Sequence, residues 1–303
     1  MKKIVLFTDM PLSKEGKPAF KPTFWTSYSE LSEIVREHGG QLYIAHGQHT
    51  YLGNGSFSRS WIIEDNTLRD TGVVVADVIF DKGRFVSDNT VPVFNHPTIS
   101  KVCNNKWLMY DTFPQFCPVT FFVTDSVQLH SVLPQITTEF IVFKPYTGSE
   151  GFGVKIEKKE YFEKYGAELV FPAVVSEFLD TSNGIPDIIE GTHDLRIAIF
   201  DGEILYSYVR TPPTGSLLAN VSKGGTFAMV DIEKLPSKII DIFRTIDQSF
   251  SNIPHRFYGI DFGMTTQGPK IIEMNTELGL LPNSDDPIFK KLKEKLAQVF
   301  MDL

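Results

Sequence analysis

Hydrophobic and polar positions along the chain fall into short runs of two periods. Apolar runs bounded by polar turns predict strands at Lys3 to Thr8, Gln41 to Ala45, Val73 to Phe80 and Val91 to Phe94. The continuous apolar character of Val73 to Phe80 suits a sheet covered on both faces. Trp25 to His38 carries apolar residues at helical spacing and stops at Gly39-Gly40. This opening third reads as a small open α/β domain, although Gly47 to Gly72 departs from simple β-α alternation.

The period changes again further on. Ser100 to Phe113 predicts a helix closed by Pro114, and Val127 to Ile136 a second one despite Pro134. Strands are expected at Val119 to Val123, Phe140 to Lys144, Val154 to Glu157 and Val174 to Leu179. The clearest hairpin is Leu195 to Phe200 and Glu203 to Val209, joined by Asp201-Gly202, which suits a type I′ turn. Ile232 to Phe250 predicts a helix, Phe257 to Phe262 and Pro269 to Met274 a second hairpin, and Pro287 to Phe300 a closing amphipathic helix. Together these elements describe a mixed α and β protein.

Composition narrows the class. With 303 residues and 42% hydrophobic content, the chain can bury a large core and has room for about two domains. A formal net charge of −8 argues against general nucleic-acid binding, while leaving room for a local basic pocket. No stretch approaches the roughly 18 apolar residues of a membrane span. The start has the charge but not the length of a signal peptide, because Asp9 ends its apolar run. Two cysteines, Cys103 and Cys117, give neither metal-ligand spacing nor a disulfide framework, which fits the cytoplasm. His46 and His49 lack a carboxylate or cysteine at ligand spacing and read as structural.

Three constellations carry candidate chemistry. In the first, a strand delivers Lys144 into a Gly-rich turn running from Gly148 through Ser149 and Gly151 to Gly153. Glycines let backbone N–H groups approach phosphate oxygens and the lysine adds a point charge. An ordinary hairpin loop with an incidental lysine explains this stretch equally well. In the second, a turn centred near Gln267 sets Asp261 opposite Glu273, with Glu273 and Asn275 on one face. Two carboxylates and an amide oxygen are hard ligands suited to magnesium shared with phosphates; the alternative is a solvated polar face. In the third, Asp194 and Arg196 share a strand face, followed by Arg210 and Asn220. Such groups bind ribose hydroxyls, phosphate or carboxylate, or form a surface salt-bridge network on a hairpin.

In this order the pieces resemble the ATP-grasp superfamily, most closely bacterial glutathione synthetase and the ribosomal-protein glutamate ligases, over Asn95 to Leu281. The resemblance implies an ATP-grasp fold of mixed α+β and α/β class. Its parts would be an N-terminal open α/β, Rossmann-like domain at 1–96, a central lid subdomain with its preceding helix at 97–180, and a C-terminal subdomain at 181–303. It implies that Lys106, with Lys101 as the alternative, and Lys144 hold ATP phosphates under the Gly148, Ser149, Gly151 and Gly153 loop. Glu177, Phe178 and Leu179 match the adenine linker, and Asp194 the ribose aspartate. Asp261, Glu273 and Asn275 match the magnesium ligands, which also accept manganese. Arg196 and Arg210 match catalytic arginines, and Asn220, Lys223 and Gly224 the substrate-side segment.

Two departures stand out. Leu218 replaces an arginine common in glutathione synthetase, and Asp180 to Gly191 is a long insert. The activity implied is ADP-forming ligation of an amino-acid or peptide carboxylate to an amine through an acyl phosphate, with no nucleic acid or membrane partner and a homodimer or homotetramer as the assembly. The rivals are an ATP-grasp small-molecule or inositol-phosphate kinase and a non-catalytic ATP-binding protein.

Overall fold

The computed structural model describes residues 1–303 except 149–150, 218, 220–223 and 283–285. Contacts divide it into two units: Met1–Ser100 with Ile253–Phe257 and Thr276–Leu303, and Lys101–Asn252 with Tyr258–Asn275. Among the described residues no helix is long and apolar enough to cross a membrane.

The first unit is built on a seven-stranded sheet. β1 (Lys2–Thr8) pairs in parallel with β2 (Gly40–His46) and with β6 (Val78–Lys82), and β6 with β7 (Val93–Phe94). α1 (Pro22–Glu37) makes the β1–β2 crossover, beginning with Pro22 at a position where a missing N–H costs nothing. The irregular stretch after Gly47 becomes β3 (Tyr51–Gly53), β4 (Ser56–Glu64) and β5 (Thr67–Val75), antiparallel additions along the β2 side. The expected single strand Val73 to Phe80 is two, the end of β5 and the start of β6. Asp77 intervenes, its N–H donating to the Lys3 carbonyl and its carboxylate accepting from the Lys3 N–H. Val73 and Val75 are exposed, so this stretch is not covered on both faces. Val5, Phe7, Phe57, Ile79 and Phe85 make one core cluster. α7 (Pro287–Asp302) packs on α1, and its Phe300 ring meets those of Phe80 and Phe94.

The second unit carries two sheets. Its four-stranded sheet runs β10-β9-β11-β8, with β8 (Thr120–Val123), β9 (Phe140–Pro145), β10 (Lys155–Lys158) and β11 (Ala173–Glu177). α4 (Ser126–Val132) and α5 (Lys159–Tyr165) contribute Leu129 and Phe162 to a core with Val123, Ile141, Phe143 and Val175. Pro134 confines the end of the expected helix to a 3-10 turn at Leu133–Gln135. The five-stranded sheet runs β14-β13-β12-β15-β16, with β12 (Asp194–Phe200), β13 (Glu203–Thr211), β14 (Thr226–Val230), β15 (Phe257–Thr265) and β16 (Gly268–Asn275). α6 (Ser237–Ser249) follows Pro236 and buries Ile239, Phe243 and Ile246, one stripe at helical spacing. The expected helix Ser100 to Phe113 is also two helices, α2 (Pro97–Asn104) and α3 (Lys106–Thr112). Asn105 breaks it by leaving helical geometry and capping α3, its Oδ1 accepting from the Leu108 N–H at 3.0 Å.

Candidate active site

The Asn105 break determines where Lys106 stands. Asn105 forms a β-bridge with Thr147, and the Lys106 N–H donates to the Tyr146 carbonyl at 2.8 Å. The first residue of α3 is thereby fastened to the end of β9. Its Nζ, on a residue only 8% exposed, donates to the Gly148 carbonyl at 2.6 Å and lies 3.9 Å from Glu273 Oε2. Lys144, on β9 itself, donates to the Ile272 carbonyl at 3.1 Å. Burial pushes its ammonium down to about 8, with Lys106 adding to the shift and Glu273 opposing it.

Two hairpins supply the opposing wall, and each carries a bulge that sets its charges in register. Asp201 and Gly202 both take positive φ, 49° and 85°, as a type I′ turn requires. A register shift between Ala198 and Ile199 then sets Asp194 opposite Arg210 and Arg196 opposite Tyr208. In the second hairpin a shift between Asp261 and Phe262 sets Asp261 opposite Glu273. β12 neighbours β15, so Arg196, Asp261 and Glu273 stand on three successive strands.

The charges pair in forks. Arg210 Nε and Nη2 donate to the two Asp194 oxygens at 2.6 and 2.9 Å, and Nη2 also donates to Asp261 Oδ2 at 2.6 Å. Arg196 Nε and Nη2 fork onto the two Asp261 oxygens, and Arg196 Nη1 donates to the Tyr208 hydroxyl at 3.3 Å. Burial alone would raise Asp261, which is 1% exposed, but Arg196 and Arg210 outweigh it and hold this carboxyl down. Burial raises Asp194, against Arg210 and with Asp261. Glu273 Oε1 accepts from Asn275 Nδ2 at 3.2 Å, which leaves the Asn275 amide oxygen for a cation.

These groups surround a cleft of about 1000 Å³, counting its open mouth, walled by both sheets of the second unit. Lys106, Lys144, Gly148, Gly151, Glu177, Phe178, Leu179, Asp194, Arg210, Asp261 and Glu273 all line it. Arg196 touches it through Asp261, Asn275 through Glu273, and Gly153 through Pro145, since a Cβ on Gly153 would come 2.9 Å from the Pro145 ring. Lys101 is exposed and outside the lining, whereas Lys106 lines the cleft. Gly224 is described but also lies outside the lining; Ser149, Asn220 and Lys223, like Leu218, lie outside the described residues.

Some residues in contact with the candidate site residues were not read from the sequence. Tyr208 touches Arg196 by hydroxyl and by ring face, at 5.9 Å. Thr137 holds the Glu177 carboxylate, donating from its hydroxyl at 2.6 Å and its N–H at 3.3 Å. Thr138 Oγ1 accepts from the Phe178 N–H at 3.2 Å. The Glu177 side chain is thus committed to bracing the linker. Tyr208 had a signal in its hairpin position, hidden by the bulge; Thr137 and Thr138 lie in an unpatterned loop and had none.

The donor set fits a magnesium nucleotide. Two carboxylates and an amide oxygen are hard ligands in the small number magnesium takes when phosphates complete its shell. Among the described residues no group of three or more His, Cys, Asp or Glu side chains is arranged to hold a metal ion by itself. Apolar walls from Val142, Val154, Ile156, Phe178, Leu179 and Ile272 suit a planar base.

The chain is similar to known proteins in sequence and in fold. A probable alpha-L-glutamate ligase of Shewanella pealeana is 24% identical over 172 residues, 54% of this chain and 33% of its own length. The chain therefore spans about a third of the length of the first curated relatives it matches. The D-alanyl-alanine synthetase A of Vibrio cholerae superposes with a TM-score of 0.68 at 15% identity, over 99% of this chain and 98% of that one. A RiPP-associated ATP-grasp ligase of Chryseobacterium gregarium, solved with ADP and a leader and core peptide, gives 0.62 at 10% identity, over 100% and 97%. At these identities the structural likeness shows the fold, which is ATP-grasp. The family model for the prokaryotic glutathione synthetase ATP-grasp domain matches residues 105–277, more than half of the chain and every described site residue, and the chain belongs to that family.

Proposed function

We infer that this protein is an ATP- and magnesium-dependent, ADP-forming ligase joining an amino-acid or peptide carboxylate to an amine. The observation that carries the reading is the cleft itself. Lys106 and Lys144 enter from one side, and the carboxylates Asp261 and Glu273 stand on the other with Arg196 and Arg210 around them. That arrangement suits a transferring phosphoryl group flanked by an activated acyl group. The names of its relatives, a glutamate ligase and a D-alanyl-alanine synthetase, support ligation over phosphorylation. Two free, buried cysteines suit a reducing cytoplasm.

Lys106 and Lys144 would hold the nucleotide phosphates. Lys106 already ties the Gly148 carbonyl, so one side chain links phosphate binding to the position of the Gly-rich turn. Asp261, Glu273 and the Asn275 oxygen would hold magnesium, which when bound neutralises charge on the transferring phosphoryl group. Arg210, kept charged and oriented by Asp194, would stabilise negative charge on the acyl phosphate and on its tetrahedral successor. The turn closed by Gly153, with Phe152 81% exposed beside it, would exclude water from the acyl phosphate.

The test is a phosphate-release screen over amino acids and peptides with ATP and magnesium, followed by mass spectrometry. A product heavier than the acceptor by the donor minus water is expected, with ADP and phosphate. A phosphorylated acceptor would establish the kinase instead, and tight magnesium-dependent ATP binding without turnover on any carboxylate the binding protein. Glu273→Ala should lower ATP turnover by roughly 10³-fold or more, with an unchanged circular-dichroism spectrum; surviving activity would remove Glu273 from the metal site.

A further inference from the structure

Asp261 and Glu273 face one another across β15 and β16. Two carboxylates so placed repel unless a cation stands with them. The fold supplies one from its own chain. Arg196, on the next strand, uses its whole fork on Asp261, and the same Nη2 that bonds Oδ2 lies 3.8 Å from Glu273 Oε1. A divalent cation held by these carboxylates would draw on oxygens of the same pair that Arg196 Nη2 now approaches.

The two arginines of the cluster are not equally held. Arg210 keeps both Asp194 oxygens whether or not it keeps Asp261. Among the described residues Arg196 hydrogen-bonds to no second carboxylate; beyond Asp261 and the 3.8 Å approach to Glu273 it holds the Tyr208 hydroxyl at 3.3 Å, with the Tyr208 ring beneath the guanidinium. Tyr208 offers a neutral support on which a guanidinium rests after leaving an ion pair.

The geometry points to an exchange: the Arg196 guanidinium and the divalent cation are alternative partners of the Asp261–Glu273 pair, and arrival of the metal nucleotide turns Arg196 off that pair, onto Tyr208 and toward the reacting phosphate. This rests on the metal assignment proposed above and adds an order of events. Arg196 becomes available to the phosphoryl group only once the metal is seated. Loading the nucleotide and arming the arginine are then one step, and the carboxylate pair never faces itself without a cation.

The experiment is titration of the full chain with manganese alone, read by loss of the free-ion electron paramagnetic resonance signal. Arg196→Gln removes the competitor and should bind manganese about ten-fold or more tighter than wild type, a change of about 1.4 kcal/mol. Arg196→Lys keeps a charge but cannot fork, and should fall between, at about three-fold; it serves as the variant if Arg196→Gln does not fold. Equal or weaker binding in the folded variants would overturn the exchange. Glu273→Ala separates the two claims. If manganese binding with ADP depends on Glu273 but not on Arg196, the exchange fails and the metal site stands. If Glu273 has no effect either, both fail.

Discussion

Lys144 and Lys82 are near-twins placed in different units. Each stands at or next to the carboxyl end of its strand, β9 and β6, and each donates to a main-chain carbonyl, Ile272 at 3.1 Å and Leu278 at 2.7 Å. Burial pushes each ammonium down to about 8. A lowered lysine would ordinarily mark both as functional candidates. What separates them is the rest of their surroundings. Lys144 lines an open cleft beside a second cation, Lys106, and two carboxylates. Lys82 packs over the Phe80 ring at 5.0 Å, with Asp81 and Glu277 supplying the opposite charge and Glu277 already shared with Arg84 at 3.5 Å. A buried cation that lines open space has room to meet an anion, whereas one packed on an aromatic face beside its counter-charges completes a structure.

The largest expected effect tests that distinction directly. Lys144→Met should weaken ADP binding about 10- to 100-fold, the worth of one charge-assisted bond of about 1.5–3 kcal/mol. Lys82→Met should change it less than about two-fold, since Lys82 is not among the residues that line the cleft. Isothermal calorimetry with ADP and magnesium measures both. Comparable losses would mean that their shared pKa, and not their surroundings, tells the two lysines apart from ordinary ones.

A glycine stands near each lysine, Gly83 next to Lys82 and Gly153 against the Pro145 ring that follows Lys144, and the two differ in what would yield. A Cβ on Gly83, next to Lys82, would meet the Asp9 nitrogen at 2.5 Å and the Thr8 carbonyl carbon at 2.7 Å, both main chain. A Cβ on Gly153 would meet only the Pro145 ring, at 2.9 Å, though its φ of +71° adds strain. Gly83→Ala should therefore cost about 1–3 kcal/mol or more of stability, and Gly153→Ala about 1 kcal/mol. Urea unfolding gives the order, and a reversed order would show that the β1 end, not the Gly-rich turn, is the part that relaxes.

The same contrast governs what could be read from the sequence. Periodicity located the hairpins, and the Asp201-Gly202 dipeptide placed its turn where positive φ is found. It could not see the bulges. A plain two-residue turn at 201–202 would set Asp194 opposite Val209, and the shift at Ala198/Ile199 brings Arg210 there instead. The Asp261–Glu273 pairing was legible, but its reason differs. The turn is Thr266-Gln267, not centred on Gln267, and the shift at Asp261/Phe262 supplies the missing step. β14 was not foreseen because its residues, mostly exposed, carry no alternation a core would impose. Asn105 was read as part of a helix although its side chain competes for the backbone, which is why it caps α3 instead. Thr137 and Thr138 act through a loop, where spacing carries no signal.

The smallest effect sharpens the comparison of the lysines by pH. Burial lowers Lys82 from 10.5 to about 8. Between those values the unfolded chain holds a proton that the folded chain has released, so Lys82 contributes stability that rises with pH across this window; below about pH 8 both states are protonated and the contribution is flat. Lys144 obeys the same sign, because its shift has the same direction and origin. Wild type should therefore gain about 1.5 kcal/mol on each single Lys→Met variant between pH 8 and 9.5, measured as the difference in urea midpoints so that other alkaline titrations cancel. Saturating ADP separates the pair. Phosphate beside Lys144 favours its charged form and lifts it back toward the ordinary range, which removes its share of the rise from this window. Lys82, paired with Glu277 and not among the residues that line the cleft, keeps its share. A rise lost at both positions, or kept at both, would mean that the nucleotide does not single out Lys144.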